Sequence, residues 1–252
     1  MSTQKTPLLA IITGLVVCAA ASAQVTTLTT LDNGQDARVQ PVENADTNYG
    51  GAVSLVLKDA GLNKSTSKVY LGFDLSTWNS TAASASVTLT ANASFTLSAD
   101  TNIRFWGLNN GSASWSEDTI TYNNAPAADS DPGNGSIDDG ASFYQGTEAN
   151  QMTLLGSINF ASSTVFTTGD TITFSDASLT DFINNFSSEN LTIGVTIDKN
   201  TYTQFYSSGT ATGASVAPTL ALTPIPEPAT AGSIIGVLAL TLSVLRRRNF
   251  RS

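Results

Sequence analysis

Arg104 and Trp106 stand two residues apart, with Ile103 and Phe105 as apolar neighbours. On an extended strand that spacing places the guanidinium and the indole on one face. A ring beside a cation can stack on a sugar and pair with a uronate, although the same pair can also pack the second face of a sandwich. Trp115 and Tyr122 flank Ser116-Glu117-Asp118. They either touch ligand or fix a turn in which Glu117 accepts backbone hydrogens at a strand end. Tyr49, in the loop Asn48-Tyr49-Gly50, is expected to be exposed. The candidate ligand contacts are therefore Tyr49, Arg104, Trp106, Trp115 and Tyr122.

A second set is acidic. Between Asp129 and Gly140 four carboxylates, Asp129, Asp131, Asp138 and Asp139, occur within twelve residues. Calcium takes six to eight oxygens, so this density suits it. The loop lacks the EF-hand pattern, with no carboxylate at the fifth position and no glutamate at the twelfth, and a solvated acidic loop is the alternative. Asp36, near the first strand, is the other candidate calcium ligand. Calcium is the one cofactor suggested.

Several chemistries are excluded. The chain has no histidine, so Ser-His or Cys-His nucleophiles, an imidazole base and His-ligated zinc are ruled out. A net charge of −9 and a pI near 4.3 disfavour nucleic acid, whose binding needs clustered Lys and Arg. Carboxylate enzymes survive in principle, but Glu43, Glu117, Glu148 and Glu189 are scattered in sequence, and glycan cleavage needs an acid and a base held several ångströms apart.

The ends differ sharply from the middle. Residues 1–23 read as a signal helix: Lys5 is a small basic start, Pro7 to Ala21 an apolar run, and Ala21-Ser22-Ala23 an A-x-A site cut after Ala23 by signal peptidase. An uncleaved anchor is the alternative. The single cysteine, Cys18, lies in this segment; lipidation there is disfavoured by bulky Val17, and the mature chain is expected to have no thiol. At the other end, residues 224–252 join Pro226-Glu227-Pro228, an apolar stretch over 229–245 and Arg246-Arg247-Arg248. As a helix of about 1.5 Å per residue the stretch just spans a thin bilayer, and the arginines would stay cytoplasmic.

Between them, residues 24–223 suit one domain, with 6 basic and 19 acidic residues, a charge of −13. Apolar residues alternate at Val53-Leu55-Leu57, Val69-Leu71-Phe73-Leu75, Val87-Leu89-Ala91, Phe95-Leu97, Ile103-Phe105, Ile120-Tyr122, Ile172-Phe174, Leu191-Ile193-Val195-Ile197 and Val216-Leu220-Leu222. Period two marks half-buried strands. Leu179, Phe182, Ile183 and Phe186 instead follow a helical period, with Ser178 as the predicted cap. About ten short strands and one short helix, with no fixed internal repeat, predict an all-β fold, a jelly-roll β-sandwich.

The domain also resembles a known family. Asp36-Ala37-Arg38-Val39, Thr47-Asn48-Tyr49-Gly50, Val69 to Ser76 and above all Trp115-Ser116-Glu117-Asp118-Thr119-Ile120-Thr121-Tyr122-Asn123-Asn124-Ala125-Pro126 resemble DNRLRE-type domains, as do Leu191 to Asp198, Phe205 to Ser208 and Pro218-Thr219-Leu220. The resemblance, over about residues 32–222, implies a jelly-roll sandwich on a secreted bacterial protein, in some cases a binder of acidic polysaccharide. Lys68 in place of an expected arginine, Tyr122 in place of tryptophan and the insertion after Asp129 depart from it. The tail resembles the PEP-CTERM sorting signal, which implies removal near Pro226, Glu227 and Pro228 by an exosortase-type membrane protease in an exopolysaccharide producer. The expectation is a non-catalytic exported protein of the cell surface or matrix, held transiently in the inner membrane by its C-terminal helix, whose sandwich binds extracellular polysaccharide. The alternatives are a carboxylate-based polysaccharide-degrading enzyme and a purely structural matrix protein held by protein partners. Intact-mass measurement of secreted material should show residues 1–23 and the arginine cluster removed; a mass that retains the arginines would establish a permanent anchor.

Overall fold

Strand alternation builds two antiparallel sheets. One has the order β1 (Thr26–Thr29), β13 (Thr219–Pro224), β5 (Ala82–Thr90), β10 (Thr171–Phe174). The other runs β2 (Gln35–Val39), β4 (Lys68–Asp74), β11 (Asn190–Ile197), β7 (Thr101–Leu108), β8 (Met152–Phe160). Two short pairs complete the set: β3 (Ser54–Lys58) with β12 (Tyr202–Tyr206), and β6 (Phe95–Thr96) with β9 (Val165–Phe166). This computed structural model describes residues 24–31, 34–59, 66–109, 114–130, 141–148, 150–199, 202–209 and 216–226. The expected signal helix with Ala23 and Cys18, Glu227 and Pro228, the 229–245 stretch, and Asp131, Asp138 and Asp139 lie outside the described residues.

The inward residues of both sheets form one core: Val87, Leu89, Ile172, Phe174, Leu220 and Leu222 from the first, and Val69, Leu71, Phe73, Ile103, Phe105, Leu191, Ile193, Val195 and Ile197 from the second. Phe105 and Phe174 stack at 4.4 Å. Each such side chain stabilises the fold by about 1.5–3 kcal/mol of burial before entropy is counted. The result is a β-sandwich. The helix α1 (Ala177–Asn184) follows β10 and buries Leu179 and Ile183.

Some expectations need correction. Asp176, not Ser178, caps α1: its carboxylate accepts the Ser178 backbone N–H at 2.9 Å. Phe186 lies just beyond the helix. Ile120 and Tyr122 lie on turns rather than a strand, because their backbone bonds locally, Ile120 N–H to Ser116. Thirteen strands, not about ten, occur among the described residues. The last of them takes in Pro224, the first residue of the expected tail, and the next residue, Ile225, donates its N–H to Thr81 just beyond the strand. Among the described residues no helix is long and apolar enough to cross a membrane.

The outer face of the second sheet is also covered. Ala37, Val39, Tyr70, Trp106, Leu108 and Met152 project from it and pack with Ile120, Ala128 and Phe143 from the long connection between β7 and β8. That is why β4 and β11 are buried on both faces, as is usual for the interior strands of covered sheets. Close approach needs small residues: a Cβ on Gly194 would lie 2.6 Å from Phe143, and one on Gly50 would lie 1.9 Å from the Glu117 carbonyl oxygen. A backbone oxygen cannot swing aside as a side chain can, so Gly50→Ala must push the 47–50 loop from the 115–120 turn. Urea unfolding should show a loss of about 1–3 kcal/mol; a parent-like midpoint would mean the two loops are not held together.

Candidate functional site

Arg104 and Trp106 do share the outer face of their strand, but that face is not open. Trp106 is 1% exposed. Its indole N–H donates to the Thr196 hydroxyl at 2.9 Å, which in turn donates to the Ala141 carbonyl. The Arg104 guanidinium donates to that same carbonyl and to Asp198, each at 3.0 Å. An exposed Arg104–Trp106 platform is therefore absent, because the β7–β8 connection occupies the surface on which a sugar would have stacked. Nor do Arg38, Lys68 and Arg104 gather on one surface. Lys68 is 0% exposed, donates to the carbonyls of Ala128 and Ser142, and lies 5.2 Å from the Phe143 ring centre.

Trp115 and Tyr122 belong to the same cover. Both are partly buried against the outer core; the Trp115 ring meets Tyr70 edge-on at 5.9 Å and its N–H donates to Thr192. Around Trp115 three sequence strings interlock. Gln35 donates to the Trp115 carbonyl and accepts the Glu117 N–H. Asn48 donates to the carbonyls of Glu117 and Ile120, and the Glu117 carboxylate accepts the Asp36 N–H at 3.1 Å. These contacts give Glu117 the turn-fixing role that its position at a strand end suggested.

Asp36 lies at 0% exposure. One carboxylate oxygen accepts the Thr30 hydroxyl at 2.6 Å and the Ser208 N–H at 2.8 Å; the other is buried without a hydrogen-bond partner. Burial pushes its pKa above the ordinary carboxylate value, against those hydrogen bonds. Glu117 is pushed up too, by burial first and then by the charges of Asp36 and Asp118, with the Asp36 N–H opposing. Among the described residues no group of three or more acidic, His or Cys side chains gathers around Asp36 or elsewhere.

Tyr49 is where the chemistry remains open. The Arg38 guanidinium lies 4.4 Å over its ring. Burial lowers the Arg38 pKa from its ordinary value, while Tyr49 and Tyr202 oppose that shift. The Arg38 Nε is buried without an acceptor, so packing against an aromatic, rather than an ion pair, holds this cation. Tyr202, 45% exposed, faces Lys58 across the β3–β12 pair, with Gln204 and Tyr206 on the same side of β12 and Thr203 and Phe205 turned inward. The Gln204 amide donates to the Tyr202 hydroxyl. Tyrosines, an amide and cations thus line one rim. Tyr202 and Lys58 were not among the expected contacts, although the alternation Tyr202-Gln204-Tyr206 was available in the sequence.

Three clefts elsewhere each have one carboxylate among their described lining residues. Glu189 lines one beside Trp78 and Phe186, Asp181 one beside Phe182 and Leu154, and Asp129 one beside Tyr122 and Tyr144. Among the described lining residues, none of the three brings together the acid and base pair of a glycosidase.

Residues 27–147 match the family described as Carbohydrate-binding module family 96. The match runs from β1 through β7 and into the outer cover, and it supports a domain similar to a carbohydrate-binding module. No curated protein matches the chain.

The buried carboxylate gives a sign to the pH dependence. With a native pKa raised above the unfolded one, Asp36 contributes stability fully below its unfolded value near 3.8, and this is lost as pH rises through the native value; Glu117 acts in the same direction. Asp36→Asn should flatten the part of the profile due to Asp36 and leave the protein at least as stable as the parent at pH 7. Urea midpoints from pH 4 to 7 check this. A variant that is weaker at pH 7 and keeps the parent slope would show that a cation compensates the charge.

Proposed function

We propose that the chain is an exported, non-catalytic surface or matrix protein whose sandwich, read as a jelly roll, binds extracellular polysaccharide at the rim formed by Arg38, Tyr49, Lys58 and Tyr202. The carrying observation is the match of residues 27–147 to a carbohydrate-binding-module family. The rim suits that role because a guanidinium held on a tyrosine ring, beside an exposed tyrosine, combines stacking with recognition of a carboxylate. The resemblance of the domain to DNRLRE-type modules supports an acidic glycan.

Charge sets the expected character of binding. A domain at −13 repels an anionic polymer at long range, and Arg38 and Lys58 attract it only within about a Debye length, 8 to 10 Å at ordinary ionic strength. Affinity for a uronate polymer should therefore be modest and dependent on salt, and calcium, through Asp129 or the polymer itself, would strengthen it by bridging like charges. Export by the residue 1–23 signal, cleavage after Ala23 and release from the membrane near Pro226 by an exosortase-type protease belong to the same proposal, supported by the sequence pattern at both ends.

Titration with polygalacturonate tests the rim. Arg38→Gln and Tyr202→Ala should each weaken binding about tenfold or more, equivalent to about 1.4 kcal/mol, with Tyr202→Ala keeping the parent unfolding midpoint because the side chain is exposed. Two folded variants that bind like the parent would remove the rim from the account, and release of sugar products by pure protein would overturn the non-catalytic assignment.

A further inference from the structure

We infer that the cleft between Tyr122 and Tyr144 is a second glycan site, one for a neutral, hydroxyl-rich sugar. The inference rests on the proposed carbohydrate-binding role but concerns a different surface and a different ligand chemistry. The cleft has a volume of about 280 Å³ and is lined by Tyr122, Asn123, Ala127, Asp129, Tyr144 and Asn150, among others. That volume is at the small end of ligand pockets. Two phenol rings offer apolar faces for a sugar ring, while two carboxamides and a carboxylate offer the donors and acceptors that hydroxyl groups require.

Among the described residues, no lysine or arginine lines this cleft. The nearby cation, Lys68, is buried and directed at the Ala128 and Ser142 carbonyls. With Asp129 as the one charge among the described lining residues, the cleft disfavours a uronate and suits an uncharged sugar, the reverse of the Arg38 rim. The two tyrosines are also held in place. Tyr144 is 37% exposed, yet its backbone is fixed on both sides, its N–H donating to Ala127 and its carbonyl accepting from Met152; Tyr122 is packed on the outer core.

The backbone supplies a second observation. Ala127 and Asn150, at φ of 57° and 65°, are two of the four non-glycine residues with positive φ among the described residues, and both line this cleft. Asparagine tolerates that conformation, but alanine is strained in it, and such strain concentrates at binding sites. Strained backbone, two tyrosines and polar tips thus line one cleft, a combination that suits sugar recognition.

Calorimetric titration of the full mature chain, with cellohexaose, laminarihexaose, xylohexaose and mannohexaose as probes, tests the inference. At least one should bind, with affinity unchanged between 0.15 and 1 M NaCl. Tyr144→Ala should weaken it tenfold or more, Tyr144→Phe by less than threefold, and Arg38→Gln not at all. Tyr144 is 37% exposed, and an unchanged unfolding midpoint of Tyr144→Ala checks that lost binding is not lost folding. The inference is overturned if no neutral hexaose binds, or if Tyr144→Ala binds like the parent. If neutral binding is absent while polygalacturonate still binds in an Arg38-dependent way, the cleft alone is wrong; if neither class binds, the carbohydrate-binding role itself falls.

Discussion

The covering of the second sheet's outer face is the constraint on which the rest of the molecule depends. A central sheet that buries both faces normally carries apolar residues on both, yet here β4, β7 and β11 turn Lys68, Tyr70, Arg104, Trp106, Thr192 and Thr196 to the outside. Burying such groups costs several kcal/mol each unless every one finds a partner. The β7–β8 connection supplies those partners largely as backbone carbonyls: Pro126 for Tyr70, Ala128 and Ser142 for Lys68, Ala141 for Arg104 and Thr196. An irregular segment is thereby fixed in place by the polar residues it covers.

This arrangement decides which residues are left for a ligand. Of the basic residues, Lys68 and Arg104 are committed to the cover, and their charges cannot serve an anionic polymer. Arg38 stands on the opposite side of β2 from Ala37 and Val39, in register with Val69, and it rests on Tyr49 rather than on a carboxylate. The clasp of Gln35, Asn48 and Glu117 fixes the loop that carries Tyr49. The contacts that hold the cover to the sheet thus also hold Tyr49 under the guanidinium.

The sandwich was legible where alternation is clean, as in Leu191-Ile193-Val195-Ile197 and Val69-Leu71-Phe73, because the intervening residues Thr192, Gly194, Thr196, Tyr70 and Gly72 are small or polar-tipped although the cover buries them too, and the helix was legible from the spacing of Leu179 and Ile183. The outer cover was not. A segment such as Trp115 to Ala128, which pairs through side chains and carbonyls, leaves no period to read, so Ile120 and Tyr122 imitated a strand. The same blindness affected the site. Alternation placed Arg104 and Trp106 correctly on one face, but no local pattern tells an open face from a covered one when the covering residues come from a separate, irregular connection. Tyr49 was legible as a loop aromatic, whereas its pairing with Arg38 and proximity to Tyr202 come from contacts distant in sequence.

The central claim is that an Arg38-centred rim recognises a polysaccharide, and the most direct test follows its guanidinium. In a nitrogen-15 labelled mature domain titrated with trigalacturonate, the Arg38 Nε resonance and the amides of Tyr49, Lys58 and Tyr202 should shift together along one saturating curve, while those of Arg104 and Trp106 stay in place. Saturable shifts confined to other surfaces, with Arg38 unmoved, would contradict the account.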